Sequence, residues 1–217
     1  MYVVRAADAP RVRWRNDGGW TREIVRVPAT VVDSAGAVGA ADSFDWRVSI
    51  ADVETDGPFS AFDGYDRVLV LLDGAGMDLH FTVTGETTRL RPADRRAKFA
   101  GEAPIHATLV DGPTSDFNLM SRREGLMATA HYGDFTDSLS VGHAGVTAGV
   151  YLVAGSALLP DGTELLAGDT VVGDDGERLE LAGKGAAVAF MVWPHTAADQ
   201  AAAVAATPFG LVVGAKS

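Results

Sequence analysis

Cysteine is absent from the 217-residue chain, which excludes disulfides, thiolate metal centres and a cysteine nucleophile. Long apolar runs are missing too. No stretch approaches the ~20 residues that a membrane-spanning helix needs, so no membrane partner is expected. Basic charge is scarce: 18 Lys and Arg stand against 29 Asp and Glu, a formal net charge of −11. A nucleic-acid partner would demand a basic face, so none is expected. The opening MYVVRAADAPRVRWR carries four arginines and no apolar leader core, which predicts a cytoplasmic protein.

What is present is ordinary globular composition, 47% hydrophobic and 22% charged, cut into short segments by 25 glycines and nine prolines. Alternating patterns predict strands at Thr21 to Val27 and at Phe44 to Ala51. The first places Thr21, Glu23, Val25 and Val27 on one face, and the second sets Arg47 and Ser49 opposite Trp46 and Val48. A loop rich in Gly, Ala and Asp fills about 33 to 42. Val68 to Leu72 reads as a strand buried on both faces. Further strands are predicted at Asp78 to Thr84, Thr87 to Leu90, Pro104 to Val110, Val150 to Val153, Thr163 to Leu166, Thr170 to Val172, Leu179 to Leu181 and Ala186 to Val192. Helices are predicted only at Ala197 to Ala205, behind Thr196, and at Ser121 to Ala130, where Ser121 and Glu124 have capping-box spacing. So many short strands mean an all-β sandwich or barrel. VLVLLDGAG (68–76) leading to LRPAD (90–94) is echoed by GVYLVAGSA (149–157) leading to LLAGD (165–169), an internal repeat.

Trp14 to Ile24, WRNDGGWTREI, resembles the W-[KR]-N-G-G-G-x-T-R-E-I signature of the HutD/Ves family. The stretches 46–77 and 111–123 (DGPTSDFNLMSRR) resemble that family's second and third blocks. Asp17 departs from the pattern, standing where the family carries glycine. The resemblance implies a cupin (RmlC-like) β-barrel architecture with two cupin-like units in one chain. The units are expected at 1–130 and 131–217, packed as one globule, with the family motifs in the first. It also implies an association with bacterial histidine utilisation, for which no reaction is established.

Most cupin enzymes hold a metal through G-x5-H-x-H-x3-4-E-x6-G and a later histidine. With Gly74 as the final glycine, Arg67 occupies the glutamate position, and Ser60 or Ala61 and Phe62 or Asp63 occupy the histidine positions. An arginine in a ligand position does not build a cation site, so no metal and no other cofactor is expected. The histidines at 80, 106, 131, 143 and 195 show no metal-binding spacing.

The distinctive chemistry is arginine on strand faces that look inward. Arg47 and Arg67 would each either pair with Glu23 or offer a bidentate fork to a ligand carboxylate. An extended DFNLM places Asp116, Asn118 and Met120 on one face, a polar strip for a small-molecule pocket. Asn16 is a turn former or a ligand contact, while Trp14 and Trp20 read as core aromatics. The candidate ligand-binding set is therefore Arg67, Arg47, Asn118, Glu23, Asn16, Ser49 and Ser60. The expected function is a metal-independent, non-catalytic or weakly catalytic cupin binding a small carboxylate, with a regulatory or accessory role in histidine utilisation. Two alternatives stay open: a metal-free isomerase using His80, His106 or His131 as base, and a structural module. A homodimer is also left open.

Overall fold

The computed structural model describes residues 1–29, 43–195 and 212–213. The loop expected at 33–42 and the helix expected at Ala197 to Ala205 lie outside the described residues. In chain order the strands are β1 (Tyr2–Val4), β2 (Arg11–Arg13), β3 (Gly19–Pro28), β4 (Phe44–Val53), β5 (Gly57–Pro58) and β6 (Tyr65–Asp73). They continue with β7 (Met77–Phe81), β8 (Thr87–Leu90), β9 (Arg96–Ala100), β10 (Ile105–Leu109), β11 (Thr114–Arg122) and β12 (Leu126–Val141). The last are β13 (Thr147–Leu158), β14 (Glu164–Leu166), β15 (Thr170–Val172), β16 (Leu179–Pro194) and β17 (Val212–Val213). A 3-10 turn at Ala6–Asp8 is the helical element among the described residues, and none of them forms a helix long and apolar enough to cross a membrane. The protein is all-β.

The chain divides into two compact units, Pro10–Glu124 and Met1–Ala9 together with Gly125–Ser217. The expected division at 130/131 differs in two respects. β12 runs unbroken from Leu126, so the break falls before it, and the first residues join the C-terminal unit because β1 pairs with β15.

The Pro10–Glu124 unit holds a six-stranded sheet in the order β2-β3-β4-β11-β6-β9 and a four-stranded sheet in the order β5-β10-β7-β8. Ala51, Val53, Leu69 and Leu71 from the first sheet share a core with Met77, Leu79, Leu90, Ile105 and Ala107 from the second. Leu69, Leu71 and Leu79 are fully buried, each contributing about 1.5–3 kcal/mol of apolar burial. Val68 and Val70, which point the other way, are buried as well, so β6 is covered on both faces. The other unit packs Phe135, Val150, Leu152, Leu165, Val171 and Leu181 around a seven-stranded sheet whose long strands are β12, β13 and β16.

Two local expectations are corrected. Ser121 to Ala130 is not a helix: β11 continues to Arg122, Gly125 takes a left-handed φ of 94°, and β12 returns from Leu126. Arg123, inside the would-be helix, is clamped by Asp66 at 2.7 Å and Glu102 at 2.7 Å. The single face assigned to Thr21, Glu23, Val25 and Val27 is also broken. Glu23 pairs with Ser49 and Val25 with Val48, so Ile24 is the extra residue of a bulge that turns Val25 to the opposite side.

Candidate functional site

Cross-strand neighbours in an antiparallel sheet project from the same face. Along one face of the six-stranded sheet this brings Arg26, Arg47, Met120, Arg67 and Phe99 into one row. The next row holds Glu23, Ser49, Asn118, Leu69 and Ala97, and the one beyond it Thr21, Ala51, Asp116 and Leu71. From these rows Thr21, Arg47, Ser49, Ala51, Arg67, Asp116, Asn118 and Met120 floor a cavity of about 550 Å³ in the Pro10–Glu124 unit, walled also by Trp14, Arg15, Asn16, Phe59, Ser60 and Phe62. Four arginines (13, 15, 47 and 67), one carboxylate and no histidine line it.

Arg67 is 5% exposed and makes no ion pair among the described residues. Its guanidinium sits 5.0, 5.7 and 5.3 Å from the ring centres of Phe59, Phe62 and Phe99, an aromatic seat for a desolvated cation. Nη1 donates to the Ser60 carbonyl at 3.3 Å, and Nε has no partner. Burial lowers this arginine to about 10, against the raising influence of Asp116, so it stays charged at neutral pH. Arg47 is also lowered by burial, with Glu23 opposing. Its Nε lies 2.8 Å from Glu23 Oε2, off the N–H axis, which makes an ion pair without an aligned hydrogen bond.

Asp116 is 1% exposed, and neither carboxylate oxygen has a hydrogen-bond partner. Burial raises its pKa to about 7, with Arg67 pulling down and Asp52 pushing up. Asn118 Oδ1 is likewise buried and unpartnered.

Of the residues expected at a site, Arg67, Arg47, Asn118, Ser49, Ser60 and Asn16 line the cavity. Ser60 contributes its carbonyl, and Asn16 Oδ1 accepts from the Gly18 amide at 3.2 Å, a turn at the rim. Glu23 stands behind Arg47 as its counter-ion and does not reach Arg67. Trp14 is half-buried and packs against the core, as expected, whereas Trp20 is half-buried outside it. Trp14 walls the cavity and donates to Thr21 Oγ1 at 2.7 Å, while Trp20 lies under Arg11 and Arg13, each 5.0 Å from its ring. The unpartnered state of Asp116 and the aromatic seat of Arg67 escaped the sequence. A carboxylate at an inward position between Ala51 and Leu71 was the signal available for the first. The seat draws on a loop and on β9, so no local pattern marks it. The histidines offered as bases lie elsewhere: His80 and His106 are exposed cross-strand neighbours on β7 and β10, and His131 lies on β12.

Divalent cations need carboxylate or imidazole donors, and a lining of four arginines around one carboxylate does not fit them. Among the described residues no group of three His, Asp or Glu side chains is placed to hold a metal ion.

The fold and this cavity define a cupin-type all-β protein with an arginine-rich pocket. Bacterial pirin YhhW from Escherichia coli, solved with nickel(II), matches the fold at 11% identity, TM-score 0.60, over 90% of this chain and 99% of its own. The chain belongs to the HutD family, whose sequence model matches residues 6–191. It is 40% identical over 140 residues to an uncharacterised 21.2 kDa protein in the hutC 3′ region of Pseudomonas putida, covering 64% of this chain and 67% of that one. Protein Ves of Cronobacter sakazakii is 35% identical over 149 residues, 68% of this chain and 74% of its own. The structure of HutD from Pseudomonas fluorescens SBW25, in a formate condition, matches with TM-score 0.70 at 28% identity, over 90% of this chain and 99% of that one.

Proposed function

We propose that this chain is a two-unit RmlC-like cupin that binds a small carboxylate metabolite without a metal, in an accessory or regulatory role in histidine utilisation. The observation that carries the reading is the charge of the cavity. Of the four lining arginines, Arg13 is paired with Asp17 and Glu54 and Arg47 with Glu23, while Arg67 is buried with no ion pair among the described residues, which makes its end of the pocket attractive to anions. Arg67 is seated by aromatic rings and a carbonyl rather than by an acid, which leaves its fork for a ligand carboxylate. Arg47, held by Glu23 on the other side of Met120, supplies the second cation. The relative in the hutC 3′ region supports the pathway, and the formate condition of the HutD structure suggests the simplest probe.

The two-unit architecture rests on the repeat. In each copy an apolar strand pairs with the short strand that follows a turn: β6 with β9, and β13 with β15. The matching residues Leu71 and Leu152 each donate to the carbonyl at the end of that turn, Arg95 O in the first copy and, one position earlier, Asp169 O in the second. The isomerase alternative loses its base, since no histidine lines the cavity.

Titration calorimetry with formate, alongside thermal unfolding, tests the reading. Arg67→Lys keeps the charge and loses the planar fork, so formate affinity should fall roughly tenfold, about 1.5 kcal/mol, with little change in melting temperature. Unchanged affinity together with a large drop in melting temperature would make Arg67 a structural residue.

A further inference from the structure

The cavity floor has two ends of opposite character. Asp116, Asn118 and Met120 follow one another along β11 at alternate positions, about 7 Å apart. At the Met120 end, Arg47 on β4 and Arg67 on β6 stand on either side and offer only donors. Further along, Asp116 lies between Ala51 and Leu71, and Asn118 between Ser49 and Leu69. Three oxygens there, Asp116 Oδ1 and Oδ2 and Asn118 Oδ1, are buried acceptors without partners.

Unsatisfied buried acceptors are costly and demand a donor. A monocarboxylate at the arginine end leaves all three unanswered. We propose that the pocket takes a bifunctional ligand, its carboxylate at the arginine end and an N–H donor at the Asp116–Asn118 end, with Asp116 as the residue that selects for the donor. This rests on the carboxylate reading above and names the ligand class more closely. The carboxylate of Asp116 gives the selection its strength, because a charged acceptor in a dry site binds an ammonium or amide N–H more tightly than a neutral one does. An ordered water in the ligand's place would satisfy the same oxygens without any selection.

Pentanoate and 4-aminobutyrate separate these cases, being matched in length and differing by a terminal methyl against an ammonium. Titrated into the full chain at pH 8, 4-aminobutyrate should bind at least fivefold more tightly than pentanoate. Asp116→Asn, checked for an intact melting transition, should bring the two affinities within twofold. Equal binding by wild type, or a preference that survives in folded Asp116→Asn, would overturn the inference while leaving the carboxylate reading standing. Absence of binding by either probe would overturn both. The wild-type comparison needs no variant, so a misfolded Asp116→Asn does not remove the test.

Discussion

A carboxylate with no hydrogen-bond partner inside a protein prefers to keep its proton, and Asp116 is in that position. Its pKa rises from 3.8 to about 7 in the folded state. Between those values the folded protein holds a proton that the unfolded chain has lost, so stability falls as pH rises through the window and levels off above it. Each pH unit crossed inside that window removes at most about 1.4 kcal/mol. Asp116→Asn cannot ionise, so its stability should decline less between pH 4.5 and 8 than that of wild type. Urea unfolding of both proteins at the two pH values measures the difference, and parallel behaviour would mean that Asp116 ionises freely when folded. The face each side chain takes on its own strand was legible from alternation: Arg47 and Ser49 share one face of β4, and Asp116, Asn118 and Met120 one face of β11. How they are partnered was not. Glu23 goes to Arg47 while Arg67 goes to two rings of the loop after β5 and to Phe99 on β9, and strand register and the path of that loop decide such partnerships rather than local pattern.

Strand elements were read well wherever alternation was uninterrupted. Thr170–Val172 is a strand as expected, and Phe44 to Ala51 falls two residues short of β4. Of the long strands, β16 was read in two fragments, β13 in one, and β12 was not read as a strand. β16 carries Gly183 and Gly185 in its middle, which split its pattern, and β12 presents polar residues over much of its length. β3 shows how glycine and a bulge shape the pocket wall. A Cβ on Gly19 would overlap the Asp52 carbonyl oxygen and press on the Trp14 ring, so glycine lets β3 close on β4 and keeps Trp14 at the cavity. The bulge at Ile24 then sets Glu23 and Arg26 on the same side as Arg47. Gly19→Ala should therefore cost about 1–3 kcal/mol by overpacking. Gly57→Ala is the control, because a Cβ there meets nothing within 4 Å, and it should change stability by less than about 0.5 kcal/mol. Equal midpoints for the two variants in denaturant would show that β3 can move away from Asp52 at little cost.

At the scale of the whole molecule, the chain's first residues belong to the unit built from its last ninety or so. Asp169, the aspartate that ends the second copy of the repeat, ties them in. Its side chain is 8% exposed and accepts from the Ala6 amide at 2.9 Å, the Leu166 amide at 3.1 Å and Arg5 Nη1 at 2.7 Å. Burial alone would raise its pKa, yet the two amides and Arg5 together more than offset burial and hold it below the ordinary value. A depressed carboxylate stabilises the fold above its unfolded pKa, and that stabilisation is lost as pH falls toward the folded one. The three donors are not equal. Arg5 is 43% exposed, and Asp169 keeps its two amide donors when the arginine is gone, so Arg5→Ala should cost only about 0.5–1 kcal/mol. Asp169→Ala leaves two part-buried amides unsatisfied and should cost about 2–4 kcal/mol. In the double variant the Arg5 change should cost less than it does alone, because its ion pair has already gone and only its hydrogen bond to the Glu164 carbonyl at 2.7 Å remains. Urea unfolding of the four proteins at pH 7 completes the cycle. Full additivity would show that the two side chains act independently.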